Sequence, residues 1–353
     1  MIASGGTWAV MPSQAWSAAA PPQADEPNRG FLDALRDKIH RWTESLWDPA
    51  RGGFRQNAAI GVNLMSTTDV AWMRYAANDP DIGGGHRDAW VRSLQQSQDS
   101  RTGIVRYDPR DGGLLHSDGH ALWQTVRALN ILGGQLLHFP HYLRSAANVR
   151  GLKAWFDAVD WDGGRSNHHE VLGLVPLLAN LNDPEWTEVF YRKIAEQQSP
   201  ENGGFPRSKL NISRTFAYTA LHCATGRLPP RPQKIVDAML ALQQPDGFWQ
   251  AKPGFSTMDA AYILVRLPPV LAYRQEQARR ALERLALALN RYYRENETEI
   301  DQSTHGVLAI VHTFGLLQEA FPDRFPSERP YRFDWDKPSM YRCDVIRRER
   351  RKP

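Results

Sequence analysis

Six times along this chain a glycine-rich turn leads into a short polar cluster and then into an apolar helix, at a period of roughly 45–50 residues. The clusters read Ser66-Thr67-Thr68-Asp69, His116-Ser117-Asp118-Gly119-His120, Ser166-Asn167-His168-His169-Glu170, Asn211-Ile212-Ser213-Arg214, Ser256-Thr257-Met258-Asp259 and Ser303-Thr304-His305. Each stands where a helix is expected to begin. A repeat of this length is one helical unit that cannot bury its apolar face alone, so the units must stack on their neighbours. The unusual side chains then gather at equivalent ends of successive helices.

Periodicity predicts about twelve helical segments and no convincing strand. Segments near 31–47, 86–98, 145–159, 184–198, 231–244 and 273–294 are amphipathic and charged, as an outer layer is. Those near 66–77, 116–132, 167–181, 213–225, 256–267 and 303–321 are apolar nearly all round; Val171-Leu172-Gly173-Leu174-Val175 and Val307-Leu308-Ala309-Ile310-Val311 are examples. Such helices pack along most of their circumference and leave only one end for polar groups. The expected fold is therefore all-α, an (α/α)6 toroid of about six helical hairpins. It would span residues 31–321, after a flexible segment 1–30 and before a C-terminal extension 322–353 with a basic tail.

The chain of 353 residues, 42% hydrophobic, is long enough to bury one large core. Its 43 basic and 39 acidic side chains are too evenly balanced for a nucleic-acid binder. No apolar run reaches the roughly 20 residues of a membrane helix. Cys223 and Cys343 lack metal-ligand spacing, and Cys223 reads as a buried thiol within an apolar helix. No Lys or Arg precedes Arg29, whereas Ser17-Ala18-Ala19-Ala20-Pro21-Pro22 has the small-residue character of a cleavage region. Export and a cytoplasmic location both stay open.

The stretch Gln243-Gln244-Pro245-Asp246-Gly247-Phe248-Trp249, followed by Ser256-Thr257-Met258-Asp259, resembles the Gln-Trp repeat and helix start of squalene-hopene cyclase-type terpenoid cyclases. Gln197-Gln198 through Gly203-Gly204-Phe205 is a looser copy. The resemblance implies the toroid, with Trp249 stapling an outer helix to an inner one. It departs from the cyclases where an Asp-x-Asp-Asp acid would stand, because Ser256-Thr257-Met258-Asp259 keeps one carboxylate. It departs from protein prenyltransferase subunits as well, because Cys223 lies at the wrong end of its helix to hold zinc. In architecture and polar character the chain is also similar to sugar-binding toroids: glycoside hydrolases, polysaccharide lyases and the N-acylglucosamine 2-epimerase type.

Helix N-termini aimed at one mouth favour anionic ligands, and His116, His120, His168, His169, His305 and Arg214 strengthen that bias. Ser66, Ser256 and Ser303 read as N-caps, with Asp69 and Asp259 three residues on, at capping-box spacing. His116 and His120 are one turn apart without a clear third ligand, so neither metal nor cofactor is expected. His168, His169 and Glu170 form the densest titratable run and are candidates for proton transfer. Arg214 and Tyr218 share a helix face, where an Arg could clamp a uronate carboxylate beside a Tyr acid or base. Asp118 and Asp259 complete the catalytic candidates. Asp69, Trp72, Trp123 and His305 join Arg214, His116 and His120 as candidates for substrate contact.

These residues point to an enzyme cleaving glycosidic bonds in an acidic, uronate-containing oligo- or polysaccharide. Elimination by a His or Tyr base and hydrolysis by two carboxylates both fit. A terpenoid-cyclase-like enzyme using Asp259 as acid, a sugar epimerase, and a non-catalytic ring binding a glycan or peptide remain alternatives.

Overall fold

The computed structural model describes residues 30–108, 117–161, 167–296 and 303–350, and it is mostly helical. Amphipathic helices α1 (Phe31–Ser45), α3 (Arg87–Gln96), α6 (Val149–Asp157), α9 (Pro184–Glu196), α11 (Pro232–Leu242) and α13 (Gln275–Glu295) each bury a single stripe. In α1 the stripe is Leu32, Leu35, Arg36, Ile39 and Thr43, the spacing of one helix face. Between them run α2 (Leu64–Ala76), α4 (Asp118–Ile131), α7 (Asn167–Leu172) with α8 (Val175–Asn180), α10 (Ile212–Ala224), α12 (Phe255–Leu271) and α14 (Thr304–Ala320). Long stretches of these are buried on every side; in α4, Gly119 through Leu129 have no exposed face. A short α5 (Leu143–Ala146) and a terminal α15 (Asp344–Arg350) complete the helices.

The sequence expectation of a single helix over 167–181 is corrected: it breaks at Gly173-Leu174 into α7 and α8, with Pro176 in the first turn of the second. A two-residue antiparallel pair, β1 (Trp47–Asp48) with β2 (Gly53–Phe54), closes the turn after α1.

The apolar helices touch in circular order. α2 packs on α4, α4 on α7, α7 on α10, α10 on α12, α12 on α14, and α14 returns to α2.

One glutamine device recurs in three connections. Gln98 Nε2 donates to the carbonyls of Gly103 (2.9 Å) and His138 (2.6 Å), and Gln243 Nε2 to those of Gly247 (3.0 Å) and Ala281 (2.8 Å). Gln198 Nε2 bridges Gly203 and Pro230 in the same way. Each amide thus closes its own turn and ties it to the next outer segment, satisfying carbonyls that would otherwise be buried unpaired. Gly103 sits at φ +68°, where a Cβ would lie 2.2 Å from the Phe139 carbonyl, so the turn requires glycine.

A threonine fastens the turns that precede α2, α10 and α12 to those helices. Oγ1 of Thr67, Thr215 and Thr257 accepts from the backbone N–H of Phe54, Phe205 and Trp249 at 3.2, 3.0 and 3.4 Å. Trp249 also donates its indole N–H to the Met239 carbonyl of α11 at 2.7 Å, so it links α11 to α12.

The segment after α14 does not stay outside. Trp335 packs at 5.0 Å from both Trp72 and Trp123, which are 4.9 Å from each other. Arg127 lies 3.7 Å over the Trp72 ring and pairs with Asp334, both fully buried. Asp336 accepts from Tyr262 and Arg266, and Arg266 also pairs with Glu319. The C-terminal segment is thereby pinned to α2, α4 and α12.

Candidate functional site

The helix starts carry caps that differ from the sequence expectation. Asn63, not Ser66, caps α2: its side chain accepts from Ser66 N, and Ser66 is the reciprocal partner. Gly254 takes the cap position of α12, so Ser256 lies within the helix. Ser303 does precede α14 but makes no capping bond, and its hydroxyl accepts from Gln56 at 3.4 Å. Asp69 and Asp259 are therefore not capping-box acids, which leaves both carboxyls for other work.

Asp69 is fully buried in the second turn of α2. Its Oδ2 accepts from His305 Nδ1 at 3.0 Å, and Gln124 Nε2 of α4 reaches Oδ1 at 3.4 Å. Gln124 Oε1 in turn accepts from the Thr68 hydroxyl (3.1 Å) and the Tyr107 hydroxyl (2.8 Å). Tyr107 also meets His120 Nδ1 at 2.7 Å. One hydrogen-bonded run, His305–Asp69–Gln124–Tyr107–His120, thus crosses from α14 over α2 to α4.

Burial lifts the Asp69 carboxyl above its ordinary range, against the pull of His305 and Gln124. Burial, with the Asp69 charge adding, pushes the Tyr107 phenol well up, so it stays protonated.

Neighbouring helix starts extend this run. The rings of His120 and His169 lie 4.4 Å apart. Their approach depends on Gly119, where a Cβ would meet the His169 carbonyl at 2.7 Å, so no larger residue lets α4 and α7 come this close. On the other side the His305 ring lies 4.3 Å from Phe255 of α12, which is 6.2 Å from Trp335.

Asp259 is buried on α12. Burial pushes its carboxyl up to about 8, opposed only by a hydrogen bond from Ser213 of α10, and its Oδ2 has no partner among the described residues. At neutral pH it is a carboxylic acid with an O–H to give.

The remaining candidates are placed as follows. Glu170 is half-buried and raised by burial, with the Ser117 hydroxyl opposing and the Asp118 charge adding. Asp118 pairs with exposed Arg106 at 3.0 Å. Arg214 donates to the Trp161 carbonyl at 2.8 Å and lies close enough to Tyr218 to oppose the burial that raises that phenol. Tyr218 is packed edge-on against Phe205 at 5.0 Å, 1% exposed.

Two expectations are corrected. Trp72 offers no face to a substrate, because the Arg127 guanidinium covers it; Trp123 is likewise buried, between Trp335 and Tyr341. His116 and the side chain of His168 lie outside the described residues.

Sequence reasoning missed Tyr107, Gln124, Ser213 and Trp335. Gln124 stands four residues after His120 and so shares its helix face, a signal that could have been used. Tyr107 and Trp335 come from connecting segments, where spacing carries no such signal.

Among the described residues no group of three His, Cys, Asp or Glu is placed to hold a metal ion, and no helix is long and apolar enough to cross a membrane. No family model, curated protein or solved structure matches this chain. The site is therefore read from its own chemistry.

Proposed function

We propose that the chain is an (α/α)6 toroid whose inner-helix N-terminal ends form an enzyme site cleaving an acidic glycan by β-elimination. The circular order of helix contacts supports the toroid. The observation that carries the reaction is the run His305–Asp69–Gln124–Tyr107–His120. His305, oriented by its Nδ1 contact with Asp69, acts as the base and takes the proton on the carbon next to the uronate carboxylate. The electron pair left behind forms the new carbon–carbon double bond as the adjacent C–O bond breaks. The departing oxygen takes its proton from the Tyr107–His120 pair.

Removal of such a proton requires the carboxylate to be neutralised first. Asp259, protonated at neutral pH, donates to one carboxylate oxygen, and Arg214 of α10, the helix whose Ser213 bonds Asp259, supplies the positive charge. Hydrolysis is supported less well, because Asp69 is engaged by His305 and Asp118 by Arg106, which takes two of the four candidate carboxylates out of the pair that hydrolysis needs.

The test is turnover on uronate-containing and neutral glycans, reading new reducing ends together with ultraviolet absorbance of an unsaturated uronate. Both signals are expected, with His305→Gln lowering the rate by about 10²-fold or more. Reducing ends without absorbance would replace elimination by hydrolysis.

Protonated Asp259 with Phe255, Phe216 and Trp335 nearby along α10, α12 and the C-terminal segment also favours a second reading, acid-initiated cyclisation of a polyprene. The histidines at the same mouth weigh against it, since they would capture a carbocation. Cyclic products from a polyprene, with silence on glycans, would establish it.

A further inference from the structure

A groove of about 510 Å³ lies beside the run of hydrogen bonds, between the start of α2 and the C-terminal half of α3. That volume is in the ~300–1,000 Å³ range of small-ligand sites. Its lining combines two guanidinium groups, Arg51 and Arg106, with the polar side chains Ser93, Gln96 and Ser97, and with Tyr107. Val62, Leu64 and Leu94 supply an apolar wall, and Asp108 is the single carboxylate among the lining residues. Paired cations, short hydroxyl and amide groups and an apolar wall match the three faces of a hexuronate: carboxylate, hydroxyls and ring C–H. Tyr107 belongs to groove and site alike, because its hydroxyl holds His120 and Gln124.

We infer that this groove is a second carbohydrate subsite, binding a uronate unit of the same chain whose neighbouring unit lies at His305. This deepens the reading of the site as one for acidic glycans and rests on it. Arg106 is two-thirds exposed, and its pairing with Asp118 is solvent-screened, so its charge can be shared with a ligand carboxylate. Through Tyr107, occupation of the groove also orients the phenol that gives the proton.

The experiment is calorimetric titration of the full chain with trigalacturonate, with a hyaluronan tetrasaccharide, and with neutral maltotriose as control. The wild type is expected to bind at least one acid saturably and in a salt-sensitive manner, with maltotriose weaker. The double variant Arg51→Gln/Arg106→Gln should lower acid affinity by about tenfold or more. Gln96→Trp, which fills the groove without changing charge, should do the same, with its melting temperature reporting that the fold is kept. Equal affinity of wild type and both variants overturns the subsite, as does equal affinity for maltotriose or no binding of either acid. Because binding is read without turnover, the two claims separate. Arginine-dependent binding without product removes the reaction and keeps the groove, whereas product formation with variant-insensitive binding does the reverse.

Discussion

Two histidine–aspartate pairs sit on α14 and its surroundings, and they have opposite fates. His305, in the first turn, is 18% exposed and bonds fully buried Asp69 across to α2. His312, two turns on, has no exposure, and the carboxylate nearest it, Asp334, belongs instead to Arg127. Its Nδ1 donates to the Leu308 carbonyl and its Nε2 accepts from the Trp335 indole at 3.0 Å. Burial, with Arg127 adding, drives the His312 pKa down to about 3. The same residue types thus give a partly exposed ring bonded to a carboxyl where a helix begins and a fully buried ring bonded to a carbonyl and an indole two turns deeper. Solvent access and the identity of the third partner make the difference.

Breaking the deep pair should have the largest effect. Asp334→Ala leaves the buried Arg127 guanidinium without its ion-pair carboxylate, and is expected to cost about 3–5 kcal/mol in denaturant unfolding. An unchanged midpoint would show that the C-terminal segment is not anchored as described.

Asp259→Asn sharpens the comparison from the mouth. The Asp259 pKa is raised in the folded chain, so its stabilising contribution is full below the unfolded value near 4 and is lost as pH rises towards 8. Wild type should therefore lose stability relative to the variant between pH 5 and 8, by on the order of 4 kcal/mol. Parallel pH profiles would show a carboxylate that is ionised at this position and compensated by hydrogen bonds or charge.

Asp69→Asn should cost only about 1 kcal/mol, one hydrogen bond to a partly exposed ring, while removing most turnover. A loss as large as that of Asp334→Ala would make the mouth pair structural. The smallest effect is spectroscopic: the His312 ring signals should not titrate in NMR between pH 5 and 8, and a midpoint in that window would contradict its burial.

The alternation of amphipathic and uniformly apolar helices was legible because burial on one side or on all sides leaves different periodicities. Ser117 stands in the second polar cluster but was not among the serines read as caps, and it caps α4, its hydroxyl accepting from His120 N at 3.3 Å. The cap of α2 was misread because a capping residue and its reciprocal partner three residues on are both small polar groups, and that of α12 because Gly254 takes the cap position two residues before Ser256 without any side-chain bond. Trp72 was read as a candidate sugar platform because helix phase says that it points inward, not what else points there. Arg127 and Trp335 arrive from 55 and 263 residues away in sequence and cover it.

Sequence alone determined the helical character, the alternation of amphipathic and apolar helices and the polar clusters at helix starts, since each is written in the local pattern of one repeat. Tertiary structure decided which of those residues meet. The Asp69–His305 pair closes the first apolar helix onto the last, and Tyr107 enters from a loop. The proton affinities of Asp259 and His312 follow from how completely the surrounding helices exclude water. Pairing and desolvation are properties of the assembled core, and no single repeat carries them.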